Sequence, residues 1–200
     1  MKVLLGTRNP AKLAEIREIL GDIPGIEWVS ALELDLPEPP EEGKTLEENA
    51  LIKAVTYAKR AGFPTVAEDT GLEVEALGGA PGVFSSRFSG KEKDYEANNR
   101  KLLALLQGVE NRRARFRTVA VLALPDGRFW KSEGVLEGEI AMAPRGTGGF
   151  GYDPLFIPLG ESRTLAELST ADKNRISHRR RALEGLRPLL NVLVKNPDIV

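Results

Sequence analysis

Glu68-Asp69-Thr70-Gly71 places two adjacent carboxylates and a hydroxyl directly after the apolar run Thr65-Val66-Ala67. Ligands of open α/β sheets lie beyond the carboxyl ends of strands, so an acid there can hold a magnesium ion, orient a water, or both. A turn or helix cap would use Asp69 equally well. A second carboxylate for a shared ion is at hand in the acidic stretch of residues 35–43, as Glu38 or Glu41. Asp-Thr-Gly also matches the aspartic-protease signature, but that chemistry needs two such aspartates in one active unit and a mostly β chain, and neither condition is met.

Three further segments carry chemistry. Thr7-Arg8-Asn9-Pro10-Ala11-Lys12 follows the apolar run Val3-Leu4-Leu5 and opens a helix, whose backbone N–H groups and dipole favour an anion, with Lys12 one turn in. It lacks the glycines and the closing Lys-Ser/Thr of a P-loop, and a plain capped helix with a surface lysine reads the same way. Gly146-Thr147-Gly148-Gly149-Phe150-Gly151-Tyr152-Asp153-Pro154 crowds four glycines around one ring. That suits a pocket floor for a planar ligand, or simply a glycine loop between strands. Lys173 and Ser177-His178-Arg179 put basic and donor groups at or beside a helix start. Arg179, Arg180 and Arg181 diverge around that helix and form no single basic patch, and a lone histidine serves structural roles more often than catalytic ones.

The elements that must position these residues follow from period and punctuation. Residues 3–5 read as a buried strand, and Asn9 as N-cap with Pro10 at the first helical position starts a helix burying Leu13, Ile16, Ile19 and Leu20. A strand is expected near residues 26–30, then an irregular acidic loop rich in Pro and Glu. Thr45 and Glu48 make a capping box for a helix that carries Lys53 and ends at Gly62. The next strand, residues 65–67, is expected to stop at Glu68. A long glycine loop spans residues 78–90, a helix residues 95–106, and residues 116–124 and 128–139 form an antiparallel pair turned at Pro125-Asp126-Gly127. A short helix is expected at residues 164–168, and a final helix from Ser177-His178 with Leu183, Leu186 and Leu190 inward and a kink at Pro188. This order predicts an α/β chain with a mixed sheet.

Composition narrows the classes. The 200 residues fit one domain of ordinary size, or two lobes sharing one core. With 28 Lys and Arg against 29 Asp and Glu, there is no bulk charge to drive nucleic-acid or membrane binding. No cysteine and one histidine exclude disulfides, thiolate metal sites and multi-histidine zinc within one chain, so any metal must be held by carboxylates. Nothing approaches a signal sequence or a membrane span, and the cytoplasm is the expected setting.

Taken in order, Thr7 to Lys12, Thr45-Leu46-Glu47-Glu48-Asn49-Ala50 with Lys53, Glu68-Asp69-Thr70-Gly71-Leu72, Leu77-Gly78-Gly79-Ala80-Pro81-Gly82, the Phe150 segment and Ser177-His178-Arg179 resemble the inosine triphosphate pyrophosphatase family, the dITP/XTP pyrophosphatases. The resemblance spans residues 3–190. It implies one domain over residues 1–200, with a mixed twisted central sheet flanked by helices and two lobes with the active-site cleft between them. It also implies magnesium-dependent hydrolysis of dITP, ITP and XTP to the monophosphate and pyrophosphate, clearing deaminated purines from the pool, in a cytoplasmic homodimer that binds no nucleic acid. Carried over by position, Thr7, Arg8, Asn9, Pro10, Ala11, Lys12 and Lys53 hold the triphosphate, and Asp69 binds magnesium and acts as base for water. Thr70 touches substrate. Phe150 stacks on the base beside Gly151, Tyr152 and Asp153, while Lys173, His178 and Arg179 close the base and sugar end. Glu38 is the expected second magnesium ligand, ahead of Glu41. Arg8 stands where the family has glycine, and Thr70 where many members have serine. Two alternatives are a pyrophosphatase of other modified nucleotides, sharing only the phosphate end, and a non-enzymatic nucleotide- or RNA-binding module built on Phe150 and Arg179.

Overall fold

β1 (Lys2–Leu5) runs parallel between β2 (Glu27–Ser30) and β3 (Thr65–Val74) in the computed structural model, which describes residues 1–200. Parallel neighbours need crossovers, and α1 (Pro10–Leu20) and α2 (Leu46–Ala61) supply them. With β4 (Arg113–Ala123), β5 (Phe129–Ile140) and β6 (Phe156–Pro158), the strands form one sheet in the order β2-β1-β3-β4-β5-β6, and β6 is antiparallel to β5. The sheet is mixed, as the element order predicts. No helix is long and apolar enough to cross a membrane.

The chain divides into two compact units. One comprises Met1–Asp69, Thr118–Gly134 and Arg179–Val200. Its main core joins Val3 and Leu5 of β1 and Val66 of β3 to Leu13, Ile16, Ile19 and Leu20 of α1, with Leu183, Leu186 and Leu190 from the C-terminal segment. Leu4 points the opposite way and packs with Ala31 and with Tyr57 of α2. The other unit comprises Thr70–Arg117 and Val135–His178. Its core gathers Leu72 and Val74 of β3, Leu102 of α3 (Tyr95–Leu105), and Phe116, Leu136, Phe156 and Leu165. The rings of Phe116 and Phe156 meet at 4.6 Å.

Four local expectations change. β3 does not stop at Glu68 but runs ten residues through the whole acidic motif, because Leu72 and Val74 alternate into a core that outweighs the weak strand preference of Gly71. α4 (Thr170–Ile176), capped by the Ser169 hydroxyl accepting from Asp172 N at 3.1 Å, is too short for its period to show in the sequence. The expected helix at residues 164–168 is a single 3₁₀ turn, Leu165–Glu167, closed by a Thr164/Glu167 capping box. The final helix is two: α5 (His178–Glu184) and α6 (Arg187–Lys195). Pro188 lies in the first turn of α6, where its missing N–H breaks no helical bond, so it starts a helix rather than kinking one. At the break, a Cβ on Gly185 would stand 1.9 Å from Ser132 Oγ and 2.9 Å from Ser132 Cβ, so a larger residue there must displace that side chain.

Candidate active site

In the first unit the chemistry gathers on β3, against α1 on one side and α2 on the other. Successive residues of a strand face opposite ways. Val66 lies in the core with α1, and Glu68, two residues on, carries its carboxylate to the same side, where Lys12 Nζ stands 3.0 Å from Glu68 Oε1. Arg179 of α5 approaches the same oxygen, Nε at 3.7 Å, and its Nη1 donates to Glu15 of α1. Asp69 faces the α2 side, with its Oδ1 3.7 Å from Lys53 Nζ. Lys53 in turn donates to Glu41 Oε1 at 2.9 Å.

Four carboxylates thus face three cations, and Lys53, Glu68, Asp69 and Arg179 are all buried. Burying ions costs several kcal/mol each in order of magnitude, and paired buried charges seldom repay it in stability, so the array marks a site rather than a brace. Burial pushes the Asp69 carboxyl up to about 6 against the pull of Lys53, with Glu41 and Glu68 adding to the rise. For Lys53 burial works downward, but the charges of Asp69, Glu41 and Glu68 outweigh it and keep the ammonium charged. Asp69 Oδ2 is buried without a hydrogen-bond partner. A hard cation satisfies such an oxygen, so the donor set fits a divalent ion. No group of three or more His, Cys, Asp or Glu side chains is arranged to cage a metal.

The β1–α1 turn is tied internally. Asn9 Oδ1 accepts from Ala11 N at 3.0 Å and Lys12 N at 3.4 Å, and Thr7 Oγ1 accepts from Asn9 N at 3.1 Å. Pro10 takes the first helical position. Arg8, expected at the triphosphate, donates to Asp35 Oδ1 and to Leu36 O, at 3.1 and 2.9 Å. Of the two acidic-loop glutamates, Glu41 reaches Lys53 and raises Asp69, while Glu38 is exposed and its charge is felt at Tyr57.

The second unit holds the aromatic set. Asp153 Oδ2 accepts from Phe150 N at 3.1 Å and from Lys173 Nζ at 2.6 Å, closing the loop on itself. Gly149 has φ +68, and a Cβ on it would stand 2.0 Å from that same oxygen, so the turn requires glycine. The half-buried Phe150 ring has Tyr95 at 6.3 Å and the Lys173 ammonium at 5.1 Å from its centre. Gly151 O accepts from Asn99 Nδ2 at 3.1 Å, and Tyr152 is buried with its hydroxyl donating to Ser85 O at 2.7 Å. His178 is buried and stacked on Phe116 at 4.9 Å. Thr70 follows Asp69 in β3 and is half-buried.

The first unit therefore brings together Lys12, Lys53, Asp69 and Arg179, and the second brings together Phe150, Asp153 and Lys173. Sequence reasoning gave no role to Glu15 or Glu68. The signal was there for Glu68, which keeps the parity of Val66 in β3, and for Glu15, one turn after Lys12 on α1.

The sequence profile of the Ham1 family matches residues 3–189. The dITP/XTP pyrophosphatase of Elusimicrobium minutum is 52% identical over 192 residues, 93% of this chain and 98% of that protein. The Thermus thermophilus protein of that name is 48% identical over 188 residues, covering 93% and 90%. A solved HAM1 protein from Coxiella burnetii superposes with a TM-score of 0.87 at 42% identity, over 95% of this chain and 98% of that one.

Proposed function

This chain belongs to the Ham1 family, and we propose on that ground and on its charge array that it is a pyrophosphohydrolase, converting dITP, ITP and XTP to the monophosphate and pyrophosphate. Relatives named dITP/XTP pyrophosphatase, at near full-length coverage, support the substrate class. The observation that carries the chemistry is Asp69: a buried carboxyl midway along β3, held 3.7 Å from Lys53, with one oxygen left without a hydrogen-bond partner.

In this reading Asp69 takes the proton of the attacking water, and Lys12 and Lys53 meet the phosphate oxygens. Both ammonium groups are already held by carboxylates at about 3 Å, so little reorganisation is needed when substrate arrives. Asp69 and Glu41 are the carboxylates that would hold magnesium, Glu41 in place of Glu38 because it is the one beside Lys53. When bound, the ion neutralises phosphate charge. Arg179, flanked by Glu15 and Glu68, keeps Glu68 oriented beneath Lys12. Phe150 stacks on the base beside Gly151, Tyr152 and Asp153, Thr70 touches substrate, and Lys173 and His178 close the base and sugar end. A basic donor at the six position favours the keto oxygen of hypoxanthine or xanthine over the amino group of adenine. A cytoplasmic homodimer belongs to the same reading. The second unit exposes Met142 and Leu159, at 76% and 82%, which a partner would cover, and sedimentation equilibrium tests it.

The deciding experiment is pyrophosphate against phosphate release from ITP, XTP, GTP, ATP and dUTP, with magnesium and with chelator. Magnesium-dependent pyrophosphate from ITP and XTP is the expected result. No release from any purine triphosphate overturns the reading.

A further inference from the structure

Glu41 sits in a loop with no regular structure, so something outside the loop must decide where its carboxylate lies. Two side chains of α2 tie the ends. Arg60 Nη1 donates to Pro37 O at 2.9 Å, and Asn49 Oδ1 accepts from Gly43 N at 2.8 Å. Only five residues, 38–42, lie between the tied positions, and Pro39 and Pro40 stiffen them. The Gly43 tie is the tighter of the two. A Cβ on Gly43 would stand 2.6 Å from Asn49 Oδ1 and 2.7 Å from Glu48 Cβ, so the loop backbone is seated directly on the helix.

Asn49 is fully buried, and its Nδ2 has no hydrogen-bond partner. Burying an amide donor without a partner is costly, so what accounts for this asparagine is what its oxygen holds. It also lies one helical turn before Lys53, on the same face of α2. One helix thereby carries both the group that fixes the loop and the ammonium that the loop's Glu41 meets at 2.9 Å.

We propose that Asn49 is a positioning residue for the metal-binding carboxylate: by pinning Gly43 it sets the reach of Glu41 toward Lys53 and Asp69, and so sets metal affinity without touching metal or substrate. The inference rests on the reading of Glu41 and Asp69 as the metal pair. Outer-shell partners of metal ligands are worth about 10- to 100-fold in affinity, and a backbone pin acting through one loop belongs at the lower end.

The test compares the protein with Asn49→Ala, Gly43→Ala, the double variant and Glu41→Gln. Two quantities are read: Mn²⁺ uptake by nucleotide-free protein, from loss of the free-ion EPR signal, and the Mg²⁺ concentration for half-maximal ITP hydrolysis. Each single variant is expected to weaken Mn²⁺ binding and raise the Mg²⁺ requirement about tenfold, with kcat recovered at saturating Mg²⁺. The double variant should be no worse than the worse single, since both break one pin. Gly43→Ala reaches the same pin from the loop side should Asn49→Ala fold poorly. Weakened binding in Glu41→Gln with none in either pin variant overturns the proposal, as does a kcat loss that Mg²⁺ cannot restore. No Mn²⁺ uptake by the unaltered protein, or uptake indifferent to Glu41→Gln, instead removes the metal pair itself and the proposal with it.

Discussion

On the proposed reading, Asp69→Asn removes the proton acceptor and keeps the shape of the side chain beside Lys53. Turnover of ITP is expected to fall by about 100- to 10,000-fold, the usual worth of a general base, with nucleotide binding still measurable by calorimetry. Retained turnover removes Asp69 from the mechanism. At the other end of the substrate, Phe150→Ala deletes the stacking face and leaves the Asp153–Lys173 pair to hold the loop. A stacked base is worth roughly 1–3 kcal/mol, so the KM for ITP is expected to rise about tenfold or more, with a smaller change in kcat. Candidate residues were legible from their local surroundings: Asp69 after an apolar run, Phe150 among glycines and Lys12 one turn into a capped helix. Partnerships were not. Nothing in the sequence tells that Arg8 strands its guanidinium on Asp35 and Leu36, or that Arg179 turns to Glu15, 164 residues away. Such pairings are set by which faces the fold apposes, and a choice between Glu38 and Glu41 three residues apart in an irregular loop has no period to decide it.

At the scale of elements, helix starts were the most legible feature because caps are local chemistry. Asn9 and Thr45 both accept the first-turn N–H groups as their types demand. The box at Thr45 differs in one respect: Glu48 accepts from Lys44 N rather than from the cap residue itself. Asn9→Ala is expected to cost about 1 kcal/mol of stability in denaturant unfolding. It should also weaken ITP binding, because the same side chain shapes the turn before Lys12. A stability loss with unaltered KM would separate the cap from the site. What the sequence concealed were elements whose extent depends on distant partners. The length of β3 is decided by the burial of Leu72 and Val74 against Phe116 and Phe156, and Gly185, at the break between α5 and α6, packs against Ser132; these partners are far away in sequence.

For the whole molecule, buried phenols make stability depend on alkaline pH. Burial, aided by the charge of Glu38, pushes Tyr57 up to about 12, and burial alone raises Tyr152. An unfolded tyrosine ionises near 10. Above that pH the unfolded chain sheds protons that the folded one retains, so the unfolded state binds fewer and stability falls as pH rises toward the folded value. Below 10 the contribution is fully present. Urea unfolding between pH 9 and 12 is expected to show this decline, shallower in Tyr57→Phe. At neutral pH that variant should be as stable as the parent or more so, since the Tyr57 hydroxyl is buried without a partner, whereas Tyr152→Phe should lose about 1 kcal/mol with its bond to Ser85 O. The mixed sheet and the cores were legible as periodicity, but the division into two units interleaved along the chain was not, because periodicity says which face is buried and not against what. That interleaving bears on how the protein is made. The first unit closes only when residues 179–200 return to β1 and α1, bringing Leu183, Leu186 and Leu190 to a core begun by Val3 and Leu5. During vectorial synthesis the part of that core covered by Leu183, Leu186 and Leu190 must therefore stay open until residues 179–200 have been made, although α1 can cover the rest early. Arg179 arrives with that closing segment, so the charge array at Glu68 is completed last, and a chain stalled before it has Asp69 and Lys53 but no finished site.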